Sequence, residues 1–228
     1  MEDSKEWMKT LKKMPRLFFG LFLYALGMLA MLHANVGTAP WDTFNLGVIN
    51  YVPITFGQGS QIIGLFVLAI SYFIGVIPGI ASILNMYFIG FFIDVIDSTG
   101  LIKTPGSFIG KLVLLIIGIL TIGWATYFYL KVELGAGPRD GLMEGLVKKL
   151  NKPVWLIRGT IELSVLTIGY FLGGPVGVGT LITAFTMGFS VQFAFKIGKY
   201  DSKIVEHENL IQTIKRLKPS KPEEKEVI

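Results

Sequence analysis

The sequence predicts an all-α membrane protein with six transmembrane helices, arranged as two inverted-topology repeats of three, each with a broken or short helix after its first span. Three observations carry this prediction. Long stretches of the chain contain almost no charge, the second half repeats a motif of the first half at a constant offset, and lysine and arginine are unevenly shared among the loops. Together they indicate several membrane crossings and an internal duplication.

The uncharged stretches are too long for a soluble domain. Residues 17–93 contain one charged side chain, Asp42, and residues 163–195 contain none. Helices of a soluble core must present a polar face to water, whereas about 20 apolar residues cross the hydrocarbon core of a bilayer. The first apolar run, 17–32, follows several basic residues but precedes no small-residue cleavage site. We therefore interpret it as a retained first span rather than a signal peptide.

The internal repeat has an offset of 98 positions and needs no gap. At this offset Gly37-Thr-Ala-Pro-Trp-Asp42 aligns with Gly135-Ala-Gly-Pro-Arg-Asp140, and further glycines align in the same register. Each copy contains three apolar spans, an odd number, so the second copy enters the membrane from the opposite side. The predicted spans are 17–35, 58–77 and 80–96 in the first copy, and 111–130, 154–172 and 178–195 in the second.

The basic residues of the loops predict the orientation of the chain. The loop 36–57 has no lysine or arginine, whereas its counterpart 131–153 has five, and both ends of the chain are rich in lysine. Because basic loops stay in the cytoplasm, we expect a multi-pass protein of the bacterial cell membrane with both termini cytoplasmic. The first motif loop then lies outside and the second inside, with Lys103 of the linker as an exception.

These features divide the chain into five parts. Residues 1–16 form a cytoplasmic N-terminal tail, followed by membrane repeat 1 over residues 17–97. A linker over 98–110 leads to membrane repeat 2 over 111–198. Residues 199–228 are a charged cytoplasmic tail, in which we expect a short helix around 206–217 and then disorder.

The two Gly-x-x-Pro-x-Asp motifs each predict the start of a short helix. Glycine and proline end the preceding span, and a proline at the first helical position with a nearby aspartate favours a new N-terminus. The short helices are expected over 43–51 and 141–150. Two such starts that approach each other from opposite faces form a recurrent kind of transporter site. The alternative is two interfacial helices with Asp42 and Asp140 as ordinary caps; the charged residues of 141–150 favour it, and the apolar 43–51 does not.

Asp42 is the first candidate for function, because a lone ionisable side chain in an apolar stretch is expensive in lipid. Arg139 would supply the cation of an anion or carboxylate site, and Asp140 is the repeat counterpart of Asp42. The candidate substrate-binding residues are Asp42, Arg139, Asp140, Gly37, Pro40, Gly135, Pro138, Trp41, Asn45, Gln61, Asn85 and Glu162.

Three of these candidates leave two interpretations open. Glu162 follows Arg158 by four residues, which is typical of an ion pair along one helix; alternatively the pair faces the interior and Glu162 binds a proton or cation. Gln61 and Asn85 are polar groups within predicted spans. Interhelical hydrogen bonds are one role for such groups, and lining a cavity is the other.

No catalytic set is recognisable, so we expect a protein that is not an enzyme. There is no cysteine and there are only two histidines, and we find no nucleophile elbow or phosphate-binding loop. We expect no cofactor and no metal site. The net charge of +5 fits anionic lipid headgroups, and we expect no nucleic-acid partner.

The motif sequences resemble those of the bacterial YczE/YyaS/YitT group of membrane proteins, and the YczE-like members above all. The similarity lies in Gly37-Thr-Ala-Pro-Trp-Asp-Thr-Phe44 and Leu134-Gly-Ala-Gly-Pro-Arg-Asp-Gly-Leu-Met143, and covers roughly residues 15–198. It implies a small polytopic protein of the bacterial cytoplasmic membrane. Members of the group are often given five spans, one fewer than the six predicted above. The resemblance implies no biochemical activity and no ligand residues.

Two kinds of function fit these observations. The first is a small secondary transporter or channel-like permease with its site between the two repeats. Arg139 suggests a small anionic or carboxylate-bearing solute, and Asp42 suggests proton coupling. The second is a non-transporting membrane scaffold, regulator or accessory subunit, which predicts a closed interior. The expected partners are membrane lipids, the small-molecule solute, and either a second copy of the chain or another membrane protein.

Overall fold

A computed structural model describes residues 2–152, 154–200 and 205–217 of the chain. The described residues form helices joined by short loops and contain no strand, so the prediction of an all-α membrane protein is confirmed. The helices are α1 (Glu2–Ala34), α2 (Pro40–Ile49), α3 (Phe56–Ile74), α4 (Ile80–Ser98), α5 (Phe108–Leu130), α6 (Pro138–Leu150), α7 (Val154–Phe171), α8 (Val178–Ile197) and α9 (Leu210–Leu217).

Five of these helices are long and apolar enough to cross a membrane: α1 from Trp7 onward, α3, α4, α5 and α8. Their positions match five of the six predicted spans. The remaining predicted span, 154–172, coincides with α7. This helix has 18 residues and includes Arg158 and Glu162, and it is not among the five candidates found in the described part of the chain.

Most helix ends lie within a few residues of the prediction, and local sequence explains the differences. Helix α3 begins earlier than predicted, because Thr55 and Gln58 form a capping box, and it ends earlier at Gly75, whose φ of 103° suits glycine. Helix α1 begins at Glu2, so the described part of the predicted N-terminal tail is helical. The predicted tail helix is α9, and the predicted disorder after it lies outside the described residues.

Helices α1 and α5, the first spans of the two copies, pack against each other in antiparallel orientation at the centre of the fold. A β-carbon on Gly20 would lie 2.8 Å from the backbone nitrogen of Tyr129, and one on Gly118 would lie 2.6 Å from the side chain of Met31. Only glycine permits such close approach of two helix backbones. This contact places Leu17, Leu21, Leu29, Met31 and Leu115 in the fully buried core.

The contacts between the two halves come in pairs. When each residue of one contact is replaced by its counterpart 98 positions away, the result is the second contact of the pair. The amide of Gly179 donates to the carbonyl of Val36 at 2.7 Å, and the amide of Ala81 donates to the carbonyl of Leu134 at 2.8 Å. In the same way α2 packs on α7 while α6 packs on α3, and α4 flanks α1 while α8 flanks α5. Each short helix therefore lies against the opposite half of the protein.

The described C-terminal segment covers the end of the fold formed by the second motif loop. The amide of Glu208 donates to the carbonyl of Glu133 at 3.0 Å, and the amide of Leu210 donates to the carbonyl of Pro78 at 2.9 Å. Arg216 pairs with Glu208 at 2.9 Å and bonds Thr10 of α1 at 3.0 Å. This segment has no counterpart in the first half, so the two ends of the fold differ.

Candidate functional site

Both short helices begin as the motifs predict, with a proline in the first turn. The residues before them, Ala39 and Gly137, have extended backbones and provide no side-chain cap. Asp42 and Asp140 lie in the first turn of α2 and α6 and not at the capping position. A carboxylate there is favoured by the positive end of the helix dipole, and it remains available to other partners.

The N-termini of α2 and α6 face one cavity of about 430 Å³ between the two halves. This volume lies in the range of small-molecule sites, about 300–1,000 Å³. The motifs contribute Pro40, Trp41, Asp42, Pro138, Arg139 and Asp140 to its wall. The rest of the wall is largely methionine and isoleucine, including Met28, Ile63, Met86, Ile122, Met143 and Met187. The motif residues of both halves therefore meet, as the sequence predicts.

Asp42 is buried with 3% of its surface exposed, and its nearest opposite charge comes from the other half of the chain. A guanidinium nitrogen of Arg139 lies 3.6 Å from Oδ1 of Asp42, which is longer than a hydrogen bond. This Oδ1 atom has no hydrogen-bond partner among the described residues. Because an unsatisfied buried carboxylate oxygen is unfavourable by about 1–3 kcal/mol or more, it is suited to accept a proton or a ligand donor.

Arg139 points into the cavity with about a third of its side chain exposed. Its guanidinium carbon lies 5.0 Å from the ring centre of Trp41, within the range of a cation–π contact. Residues 41 and 139 occupy equivalent positions of the repeat, so this contact is between corresponding residues of the two copies. Arg139 is thus held by this ring contact and by the ion pair with Asp42 at 3.6 Å, and its guanidinium carries five N–H donors, more than this one long contact uses.

Asp140, the counterpart of Asp42, already has a partner. The hydroxyl of Tyr129 donates to its Oδ2 at 2.5 Å. The two aspartates of the repeat therefore differ: one is held by a phenol of its own half, and the other faces a cation from the opposite half. Of the two, Asp42 is the carboxyl group with a buried oxygen that no described group satisfies.

Arg158 and Glu162 combine the ion pair of the first interpretation with the inward-facing position of the second. Their side chains form an ion pair at 3.0 Å along α7, and both line the cavity. The acidic and basic side chains among the described residues of the cavity wall are thus three carboxyl groups and two guanidinium groups: Asp42, Asp140, Glu162, Arg139 and Arg158.

The remaining candidates fall into two groups. Asn85 is buried and lines the cavity beside Gly137. Gln61 bonds the carbonyl of Tyr87 at 2.8 Å and joins α3 to α4, and the amide nitrogen of Asn45 bonds the carbonyl of Phe56 at 2.9 Å. These two side chains hold neighbouring helices together outside the cavity lining.

Gly37 and Gly135 also lie outside the lining and have structural surroundings. Their φ angles of 107° and 122° are in the region that favours glycine. Each packs against the start of the last span of the other half, Gly37 on Gly177 and Gly135 on Gly79. They fix where each motif helix begins, and so they position the aspartates and Arg139 at the cavity.

Four polar residues of the cavity wall were not predicted from the sequence: Tyr24, Tyr129, Ser60 and Thr183. The internal repeat could have indicated two of them, because Ser60 is the counterpart of Arg158 and Thr183 is the counterpart of Asn85. The hydroxyl of Thr183 is buried and has no hydrogen-bond partner among the described residues. It is a second polar atom that a ligand could satisfy.

Comparison with known proteins identifies relatives over most of the chain. An uncharacterized protein of Haemophilus influenzae is 30% identical over 191 residues, 84% of this chain and 87% of the relative. The uncharacterized membrane protein YczE of Bacillus subtilis is 33% identical over 179 residues, 78% and 82% of the two chains. YyaS of the same organism is 25% identical over 170 residues, 72% and 83% of the two chains. No solved structure matches the chain.

These relatives confirm the resemblance to the YczE and YyaS proteins that the motifs indicate. A family model also matches residues 11–196, which include both motifs and every residue of the cavity wall. The chain is a membrane protein and belongs to the family of unknown function DUF6198.

Proposed function

We propose that this protein is a small secondary transporter or channel-like permease, and that the cavity between the two halves binds a small anionic solute, most simply a carboxylate. The observation that carries the proposal is the buried Oδ1 of Asp42, which lacks a hydrogen bond although Arg139 lies 3.6 Å away. The pair is close enough to interact and loose enough to be separated by a third group.

The proposed architecture is six spans in two inverted repeats, with α7 as the fifth crossing. It is supported by the antiparallel contact of α1 with α5, since equivalent spans of an inverted repeat run in opposite directions. The exchanged hydrogen bonds of Gly179 with Val36 and Ala81 with Leu134 also support it. We further propose that the chain lies in the bacterial cell membrane with both termini in the cytoplasm, on the distribution of basic residues.

The cavity offers an anion one guanidinium group and the starts of two helices. Arg139 presents N–H donors in a planar fork that matches a carboxylate, and its contact with Asp42 at 3.6 Å does not use them all. The starts of α2 and α6 both face the cavity and carry partial positive charge. The indole of Trp41 stabilises the guanidinium from behind, so the cation stays in place while its donors turn to the solute.

The charges around the cavity also suggest a reason for proton coupling. With three carboxyl and two guanidinium groups, the fully ionised cavity has a formal charge of −1 (+2 − 3). An added anion would make this −2 in an environment where unbalanced charge is expensive. A proton on Asp42 restores the original charge and releases Arg139 from its carboxylate. We therefore propose that one proton and one anion bind together.

Uptake into proteoliposomes tests the proposal. The wild type, Asp42→Asn, Arg139→Ala and the control Lys149→Ala, whose lysine is exposed on the same helix as Arg139, would be compared over a panel of radiolabelled small carboxylates, phosphate and neutral analogues. The proposal predicts saturable uptake of an anion that is lost in Arg139→Ala and retained in Lys149→Ala. The absence of uptake and of binding for the whole panel would contradict it and favour a scaffold or accessory subunit.

A further inference from the structure

The two halves differ in how their last two helices meet. In the first half, α3 and α4 are locked together: the amide of Gly57 donates to Asp94 at 2.9 Å, and Gly90 is buried against Gln61. The counterparts of Gln61 and Gly90 in the second half are Gly159 on α7 and Gly188 on α8. Both are exposed, and a β-carbon on either would meet no described atom within 4 Å. A gap therefore separates α7 from α8 where α3 and α4 touch.

The central cavity extends into this gap. Gly159, Ala184 and Gly188 line the cavity, and all three are exposed. In the proposed six-span architecture both α7 and α8 cross the membrane, so the gap between them faces the interior of the bilayer rather than water. The cavity is consequently open sideways, toward the lipid, in one half of the protein only.

The chemistry of the gap changes from its rim to its inner end. Large exposed apolar side chains lie within one helical turn of the two glycines along α7 and α8, with Leu163, Phe185 and Phe189 exposed by 66%, 74% and 72%. Further in, Arg158 lies with about half of its side chain exposed, and Arg139 follows at the cavity. A molecule that fits such a path has an apolar chain at one end and an anionic group at the other.

We propose that the ligand is a single-chain amphiphile with a carboxylate headgroup, which enters from the bilayer between α7 and α8. Its headgroup binds Arg139 and Arg158, and its chain lies over Gly159 and Gly188. This inference rests on the proposed anion site and adds the class of ligand and its route. The absence of side chains at the two glycines provides the width for an alkyl chain, and the ion pair of Arg158 with Glu162 argues against burial of this face under an apolar surface of a second copy.

Quenching of Trp41 fluorescence by brominated ligands tests the inference, because Trp41 lines the cavity beside Arg139. The probes are dodecanoate brominated beside the carboxylate, dodecanoate brominated at the far end of the chain, and bromoacetate. Each is titrated into the full-length protein in liposomes, and the same titration of Trp41→Phe is subtracted to remove the other three tryptophans. We expect saturable quenching by the first probe and weaker quenching by the second, since the headgroup is the end that reaches Trp41.

Two variants of α8 test the route. Gly188→Leu fills the gap where the structure has space, and we expect the apparent affinity for the brominated dodecanoate to fall about tenfold or more. Thr186→Leu adds a similar side chain on an exposed position of the same helix outside the cavity lining, and it should bind as the wild type does. Unchanged thermal unfolding of both variants shows that the fold is retained.

The outcomes separate this inference from the proposed function. Saturable quenching by bromoacetate with none by dodecanoate, or equal dodecanoate affinity in Gly188→Leu and the wild type, would overturn the lateral route while leaving the anion site standing. Efficient disulfide formation between two copies of Gly188→Cys would overturn it in favour of a dimer contact. If no probe quenches Trp41, the anion site itself is wrong.

Discussion

Arg139 of the second half lies 3.6 Å from Asp42 of the first half and 5.0 Å from the ring of Trp41, its own counterpart in the repeat. The two motifs thus meet at one point between the halves, and they meet with different residues: an indole in one copy and a guanidinium in the other. This difference, together with Arg158 and Glu162 of α7, whose counterparts Ser60 and Gly64 are uncharged, makes the charge around the cavity asymmetric.

Replacement of Arg139 should separate its charge from its geometry. We expect Arg139→Ala to lose anion affinity by about tenfold or more, because the N–H donors and the cation both disappear. Arg139→Lys keeps the charge but loses the planar fork, so an intermediate loss is expected. Equilibrium binding of a radiolabelled carboxylate to purified protein measures both. If Arg139→Ala binds as tightly as Lys149→Ala, the site is elsewhere.

The glycines between α1 and α5 should be sensitive to single methyl groups. A β-carbon on Gly20 or Gly118 would lie 2.8 Å or less from atoms of the opposite helix. We therefore expect Gly20→Ala and Gly118→Ala each to reduce stability by about 1–3 kcal/mol through overpacking. Gly106→Ala, where no atom lies within 4 Å, is the matched control. Thermal unfolding in detergent measures the difference, and equal midpoints for all three variants would refute the close helix contact.

Labelling of introduced cysteines tests the inverted arrangement, since the chain has no cysteine of its own. Tyr51 and Lys149 are equivalent positions, and both are exposed near the C-terminal end of the short helix of their copy. We expect a membrane-impermeant maleimide to label Tyr51→Cys in intact cells, and Lys149→Cys only after the cells are permeabilised. Labelling of both positions from the same side would exclude an inverted repeat.

The spans could be predicted closely because their signals are local. The length of an apolar run determines where a helix can cross the membrane. Single residues mark helix ends: α2 and α6 begin at Pro40 and Pro138, and α3 ends before Gly75. The extent of α1 was missed because its charged first turns have no apolar pattern, although nothing in them prevents a helix. The lock of α3 on α4 was also not predictable, since it depends on a long-range contact between Gly57 and Asp94.

The motif residues of the candidate site could be predicted from the sequence, but their partners could not. The repeat indicated Asp42, Arg139 and Asp140, yet it could not show that Arg139 would face the aspartate of the opposite motif and that Asp140 would bind Tyr129. Those pairings follow from the way each short helix packs on the other half. Gln61 illustrates the same limit, because its amide joins two helices and a sequence pattern does not reveal which carbonyl it will bond.

Proton uptake on anion binding tests the central claim most directly, namely that a proton on Asp42 and an anion on Arg139 belong together. Ionised Asp42 competes with the anion for Arg139, so protonation of Asp42 should strengthen anion binding, and affinity should rise as the pH falls. In weakly buffered solution at neutral pH, an indicator dye should report about one proton taken up for each anion bound by the wild type.

In Asp42→Asn the anion should still bind, with no proton uptake and with little dependence on pH. The control is Asp97→Asn, which removes an exposed carboxylate paired with His33. This control should behave as the wild type does. Anion binding without proton uptake in the wild type, or equal uptake in Asp42→Asn, would contradict the account.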